Sequence, residues 1–463
     1  MSEINKVIIE PSAKRFDVVK KVIKLAYPVI LSNLLYTVES TFSIILVSGL
    51  GESEVAAVGF SSSLLWFIYS LMSLSYTGTS VLVAQKTGAG ERVDSIVGLG
   101  ILTSAIIAFP LTFFGVDLVT LIQSLMGASE KVIELSEEYL EPIFLFITVG
   151  FITNTIYGAL NGCGNTKTTF KVALVMNIVN ITSSYLLIYG NFGFPAFGVK
   201  GAGMGIVLSE IVGLLIYLYL LLYLKKPFGI GFDVKGEDVL KFFRIGFPTM
   251  IERMLTTLSF NIFVGLLAPF GDHILAAHQI GLRIESVSFM IGFGFMVSAS
   301  IIAGQNYGAK NYAGLKYGVT ITALLSAVLM GMLGVIFILF PHVLALPFTR
   351  DEEIIRYVSY YLIIVGISQV PLSYAFIFSG SLKGMGKTQI PLIVNISSFW
   401  FFRIIPAFLL LKFIHSPLVP WIMMTVETFL RCFMFFYFFR KYTSSPAYNI
   451  GHEKEDPHRY KKE

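Results

Sequence analysis

The chain has 463 residues, 55% of them hydrophobic and only 14% charged, with a mean hydropathy of +0.75. Soluble domains carry roughly 25% charged residues, so this composition excludes an ordinary water-soluble globule. A net charge of +5 would suggest a nucleic-acid partner in a soluble protein, but here the basic residues lie in short loops between apolar runs, where they set orientation in a bilayer.

The N-terminal stretch through Lys24 is polar and basic, not a short apolar leader, so the first apolar run serves as the insertion signal. Apolar runs long enough to cross about 30 Å of hydrocarbon follow. Six of them, near 18–49, 54–86, 94–117, 132–160, 167–190 and 200–224, precede the polar segment KPFGIGFDVKGED. Six more follow it, near 239–270, 276–307, 315–340, 353–382, 389–413 and 417–440. The expectation is an all-α membrane protein of twelve transmembrane helices. Its parts are an N-lobe (1–225), a cytoplasmic linker (226–238), a C-lobe (239–442) and a polar, disordered cytoplasmic tail (443–463). Thirteen Lys and Arg residues fall in loops on one side, among them Lys86, Arg92, Lys167, Lys235, Lys310 and Lys387, against Lys131, Lys200, Arg350 and Lys412 on the other. The positive-inside rule then puts both termini of a multi-pass cell (inner) membrane protein in the cytoplasm. Cys163 and Cys432 are too isolated to form a disulfide framework or a metal site.

The two halves repeat each other. At an offset of 220, Pro28 pairs with Pro248, Thr37 with Thr257, Gln85 with Gln305 and Gly88 with Gly308. Further on the offset becomes 222, and Leu160, Gly162 and Gly164 pair with Leu382, Gly384 and Gly386. Six spans per repeat is an even number, so both halves enter from the same side and are related by a pseudo-two-fold axis along the membrane normal.

Within this apolar frame a few polar side chains stand out. Ser32, Tyr36, Glu39 and Ser43 share one face of the first span. An ionised carboxylate at mid-bilayer costs at least about 3 kcal/mol, so Glu39 must face a cavity or carry a proton, and function is the default reading. Asn177, Asn180 and Ser184 form a stripe on the fifth span that can offer oxygens to a cation or hold Glu39 in place, though such stripes also glue helices together. On the seventh span Glu252, Thr256 and Ser259 map onto Ser32, Tyr36 and Glu39. Each lobe then carries one acid on a shared stripe, about 10 Å apart in depth at 1.5 Å per residue. Glu252, Thr256 and Ser32 are candidates for a substrate cleft or gate, and Pro28 and Pro248 for hinges. Arg403, Glu427 and Arg431 read as a compensated buried cluster, while Glu285 and Glu210 have no partner visible in the sequence.

The strings YPVILSNLLYTVESTF, AAVGFSSSLLWF, VLVAQKTGAGE, LNGCGNTKTT, GVKGAGMGIVLSE and AAHQIGLRIESVSFMIGFG resemble the multidrug and toxin extrusion (MATE) family, over about residues 18–440. The resemblance implies two six-helix lobes around a central cleft. It also implies export of cationic, amphipathic drugs against entering Na⁺ or H⁺, with no cofactor. In the family pattern an Asp stands where this chain has Glu39, and another where it has Ser184; the sixth-span partner falls near Ala202. The two-carboxylate site of the pattern is thereby reduced to one, which favours H⁺ over Na⁺, although Na⁺ at Glu39 and Asn180 stays open. Glu39, Asn180, Ser184, Asn177 and Tyr36 are the expected ion-coupling residues. A lipid or oligosaccharide flippase of the same superfamily is the rival, expected to carry more spans or a basic cleft. An enzyme or ATP-driven pump is disfavoured: Gly386-Lys387-Thr388 lacks the earlier glycine of a phosphate loop, where Ser381 stands, and His273 and His278 lack an HExxH pattern. The expected partners are small cationic drugs and membrane lipid, with no nucleic acid, and the protein is expected to be monomeric.

Overall fold

In hydrocarbon every backbone N–H and C=O must find its partner within the chain, and the apolar runs of this sequence meet that demand as helices. The computed structural model describes residues 6–224 and 227–444. The polar tail beyond 444, and Lys225 and Lys226 at the start of the linker, lie outside the described residues. The first half contains α1 (Arg15–Ser48), α2 (Glu52–Tyr69), α3 (Met72–Ala89), α4 (Asp94–Leu125), α5 (Glu130–Leu145), α6 (Ile147–Gly162), α7 (Thr166–Tyr189) and α8 (Val199–Leu218). The second contains α9 (Gly236–Gly265), α10 (Asp272–Gly308), α11 (Tyr312–Leu339), the short α12 (Pro341–Ala345), α13 (Glu352–Ile367), α14 (Gln369–Gly384), α15 (Gln389–Ser397), α16 (Ile405–Leu411) and α17 (Leu418–Thr443). Among the described residues nine helices are long and apolar enough to cross a membrane, or twelve when each bent pair is counted as one span.

Three spans expected to be continuous are broken. The bends between α5 and α6 and between α13 and α14 are 55° and 54°, at positions 222 residues apart. Proline accounts for both. Pro142 lies inside α5 just before the first break and Pro371 in the first turn of α14 just after the second, and neither can donate the helical hydrogen bond. The 44° break between α2 and α3 is not repeated, since α10 runs straight through the equivalent positions. At the break the Ser70 hydroxyl donates to the Phe67 carbonyl at 2.5 Å, competing with the helix ladder; its counterpart is Met290, which has no such donor. In the eleventh span Ser398–Ile404 is wound as π-helix between α15 and α16. Pro406, which lacks an N–H, follows immediately.

Helix contacts divide the chain into two compact units, and the division does not follow the linker. The first unit takes 27–83 and 91–254, and the second 6–26, 84–90 and 255–444. The expected lobe bounds at 225 and 239 differ because α1 and α9 each pass from one unit to the other along their length. Residue 227 onward is no free tether either: Phe228 is 4% exposed and packs in the first unit's core with Leu74, Phe242 and Ile245.

The segments leading into α1 and α9 are fastened in matching ways. Val7 N donates to Gln305 Oε1 at 2.6 Å, Ile9 N to Asn306 Oδ1 at 3.0 Å, and Asn306 Nδ2 returns a bond to the Val7 carbonyl at 2.9 Å. Asn311 Nδ2 donates to the Ile9 carbonyl at 2.8 Å. These amides give an extended arm the pairing a neighbouring strand would supply. In the first unit Gly229 N donates to Asp94 Oδ1 at 2.7 Å, and Gly231 N to the Asp94 carbonyl at 3.0 Å. Ile9 and Gly229 are 220 residues apart, so the arms are repeat equivalents. In the second unit the backbones of the two repeats meet at glycines: a Cβ on Gly88 would run into the Gln305 carbonyl, and one on Gly308 into that of Gln85.

Candidate functional site

The first unit brings Glu39, Asn180 and Ser184 together. Asn180 Nδ2 on α7 donates to Glu39 Oε1 on α1, and Ser184 Oγ donates to Asn180 Oδ1 at 3.0 Å. The chain of bonds fixes the amide: its donor faces the carboxylate and its oxygen is occupied by the serine. Asn180 and Ser184 are 1% and 3% exposed. α8 comes close enough to shape this corner, since a Cβ on Gly205 would overlap the Ser184 hydroxyl.

Tyr36 lies one turn before Glu39, edge-on to Trp66 of α2 with ring centroids 5.8 Å apart. Tyr36 and Trp66 are both exposed, so this flank of the site is open. Tyr36, Tyr69, Tyr139 and Glu210 lie within electrostatic reach of Glu39 or of one another. Asn177 shares the face of Asn180 but turns its Nδ2 to the Ala173 carbonyl at 2.9 Å, leaving its Oδ1 buried and unpaired. Ser32 belongs to a separate layer: its hydroxyl donates to the Pro28 carbonyl at 2.9 Å, and it lies beside Tyr157. Pro28 and Pro248 sit inside unbroken helices, and α1 crosses from one unit to the other one residue before Pro28.

The expectation that each lobe keeps one acid on a shared stripe is corrected. Glu252 is buried but belongs to the first unit, whereas Thr256 and Ser259 belong to the second. The reason is that α9 changes unit after Met254, in the middle of the stripe. Glu210 on α8 also stands within the field of Glu39. Its signal was available in the antiparallel pairing of the fifth and sixth spans, which brings it level with Asn180.

The second unit is arranged differently. Glu427 is fully buried and ion-paired to Arg403 Nη2 at 2.5 Å and Arg431 Nε at 3.1 Å, with a further bond from Ser398. The arginines stack on the Phe399 ring, 4.7 Å and 5.0 Å from its centroid. This is the compensated cluster the spacing predicted. Glu285 finds its partners in neutral donors, Tyr361 Oη at 2.6 Å and Gln369 Nε2 at 2.9 Å. His278 is stacked on Trp421, edge-on to Tyr361 and tilted against Phe263, whereas His273 lies 3.8 Å from Asp351. The two histidines form no common site.

With this geometry in place, comparison with known proteins assigns the class, a membrane transporter. The MatE family model matches residues 28–186 and 248–409, two segments beginning at the paired prolines Pro28 and Pro248. The chain belongs to the MatE family. It is 30% identical over 434 residues to the probable multidrug resistance protein NorM of Thermotoga maritima, covering 91% of this chain and 92% of that one. It is 27% identical over 396 residues to the probable multidrug resistance protein YoeA of Bacillus subtilis, covering 83% and 85%. Among solved structures, a MATE protein in complex with MaL6 superposes with a TM-score of 0.89 at 20% identity, over 97% of this chain and 100% of that one. A MOP superfamily transporter from Pyrococcus furiosus, reported to have a binding pocket of reverse polarity, gives 0.87 at 20% identity over 96% and 98%.

Proposed function

We propose that this chain is a secondary active multidrug efflux antiporter of the cell (inner) membrane, with both termini cytoplasmic. It exports small cationic, amphipathic compounds in exchange for H⁺ by alternating access, and Glu39 is the coupling carboxylate. The observation that carries this reading is the environment of Glu39. Its hydrogen-bond donor is a neutral amide, and one flank is open at Tyr36 and Trp66. A carboxylate held this way is exchangeable, because a proton or a cationic cargo can each neutralise it and only one is needed at a time. Linkage then makes the coupling reciprocal: a proton taken up from outside weakens cargo binding, and cargo bound from inside displaces the proton.

Proton rather than Na⁺ is favoured by the Asn180 amide. A Na⁺ at Glu39 would want the amide oxygen, which is turned away and bonded to Ser184. The acidic character of the site speaks against the flippase alternative, whose anionic headgroups call for basic residues. The test is efflux of a lipophilic cation from proteoliposomes under separately imposed H⁺ and Na⁺ gradients, without ATP. Efflux is expected with the H⁺ gradient and to fall at least about tenfold, some 1.4 kcal/mol, in Glu39→Gln. Wild-type efflux in that variant refutes the assignment of Glu39.

A further inference from the structure

Besides the bond that ties Asn180 to Glu39, two acceptor oxygens in this part of the first unit are buried with nothing donating to them: Glu210 Oε2 on α8 and Asn177 Oδ1 on α7. Asn177 as a whole is 8% exposed. Helix register puts both in the layer of the Glu39 site. α7 and α8 run antiparallel and touch through glycines, Gly205 against Ser184 and Gly213 against Met176. Glu210 is therefore level with Val179 and Asn180. Its carboxyl carbon packs over Gly150 of α6, where an added Cβ would be 3.8 Å away, and the Thr153 hydroxyl lies beside it. The ionisable groups in its field are Glu39 and Tyr36 from α1, Tyr69 from α2 and Tyr217 from its own helix. These can only be neutral or anionic.

Unpaired acceptors cost about 1–3 kcal/mol each when buried, and more when charged. Two carboxylates sharing one field cannot both stay ionised cheaply; such pairs hold a proton between them and titrate as a unit. We propose that Glu210 is a second proton-binding carboxylate of this site, coupled to Glu39 and standing in for the acid absent at Ser184. The proposal rests on Glu39 as the coupling residue, yet it is separable from it.

The test needs no transported substrate. The full-length protein in lipid nanodiscs is titrated with acid while carboxyl bands are followed by difference infrared spectroscopy. The wild type is compared with Glu39→Gln, Glu210→Gln and, as a control that keeps the acid, Glu210→Asp. Each Gln variant is expected to remove one titrating carboxyl. Each should also move the midpoint of the other by the same amount, at least about half a pH unit or threefold in proton affinity, since linkage is reciprocal. Glu210→Asp retains two titrating groups. The proposal is overturned if Glu210→Gln removes no titrating carboxyl, or if the Glu39 midpoint stays where it was. Repeating the titration with Na⁺ in place of choline identifies the cation: unchanged bands mean H⁺ alone, and bands lost at fixed pH mean that Na⁺ competes for the same paired seat, overturning the proton assignment. Wild-type efflux by Glu39→Gln defeats the coupling reading of that residue and leaves the titration of Glu210 to stand or fall by itself.

Discussion

The fifth and eleventh spans occupy the same place in the two repeats and have opposite chemistry. Where α7 carries Asn177, Asn180 and Ser184, the second half carries Phe399, Phe402 and Pro406. Where the first unit sets Glu39 against Asn180, the second sets Ser259 beside Phe260, Phe399 and Arg403. The second unit has buried acids too: Glu427 is held by two arginines, and Glu285 accepts bonds from Tyr361 and Gln369. Glu427 is compensated by two fixed cations, whereas Glu39 has a neutral amide as its donor. Duplication supplied a scaffold, and the two copies diverged in the company their acids keep: a neutral amide for Glu39, two arginines for Glu427.

The largest effect that would break this contrast concerns stability. Glu427→Gln leaves Arg403 and Arg431 buried without their counter-charge, and thermal melting in detergent should show a loss of about 3–5 kcal/mol. Glu39→Gln keeps an acceptor for Asn180 and should cost under about 1 kcal/mol in the same assay while abolishing efflux. If the two variants melt alike, the distinction between the two acids is lost.

Next in size, Ser184→Ala removes the bond that orients the Asn180 amide, worth about 1 kcal/mol. Freed to turn its oxygen toward Glu39, the amide should admit Na⁺, so efflux driven by a Na⁺ gradient is expected to rise relative to that driven by H⁺. An unchanged ratio would mean that the amide orientation plays no part in ion choice.

The smallest effect tests the turns after the fourth and tenth spans, where the repeats agree. Cys163, between α6 and α7, is fully buried, and burial pushes its thiol up to about 12. At pH 8 roughly one thiol in ten thousand is then ionised, so maleimide should spare Cys163 in a Cys432→Ser background. The position equivalent to Cys163 is Met385, also buried, and Cys163→Met is expected to change stability by less than about 1.5 kcal/mol.

Much of the frame was legible in the sequence. Length of apolar runs, loop charge and the 220-residue register are one-dimensional signals of a bilayer and a duplication. The Glu39–Asn180–Ser184 triad was legible too, because spacing on each helix and the family pattern point to the same face. What escaped was whatever depends on helix-to-helix contact. The breaks at Ser70, Phe146 and Ser368 hide inside runs whose hydropathy does not falter. Glu210 looks solitary until the glycine contacts fix its level against α7. Glu252 looks like a C-lobe acid because sequence order says so, and only packing assigns the first part of α9 to the other unit.

The extended arm at Val7–Ile9 bears on how the molecule is made. Its hydrogen-bond partners, Gln305, Asn306 and Asn311, lie about three hundred residues downstream. Synthesis runs from the N-terminus, so the arm emerges long before anything exists to receive it. It must wait through the whole first half and two further spans. Among the earliest described residues to leave the ribosome, these three are seated only after α10 and the start of α11 have been made.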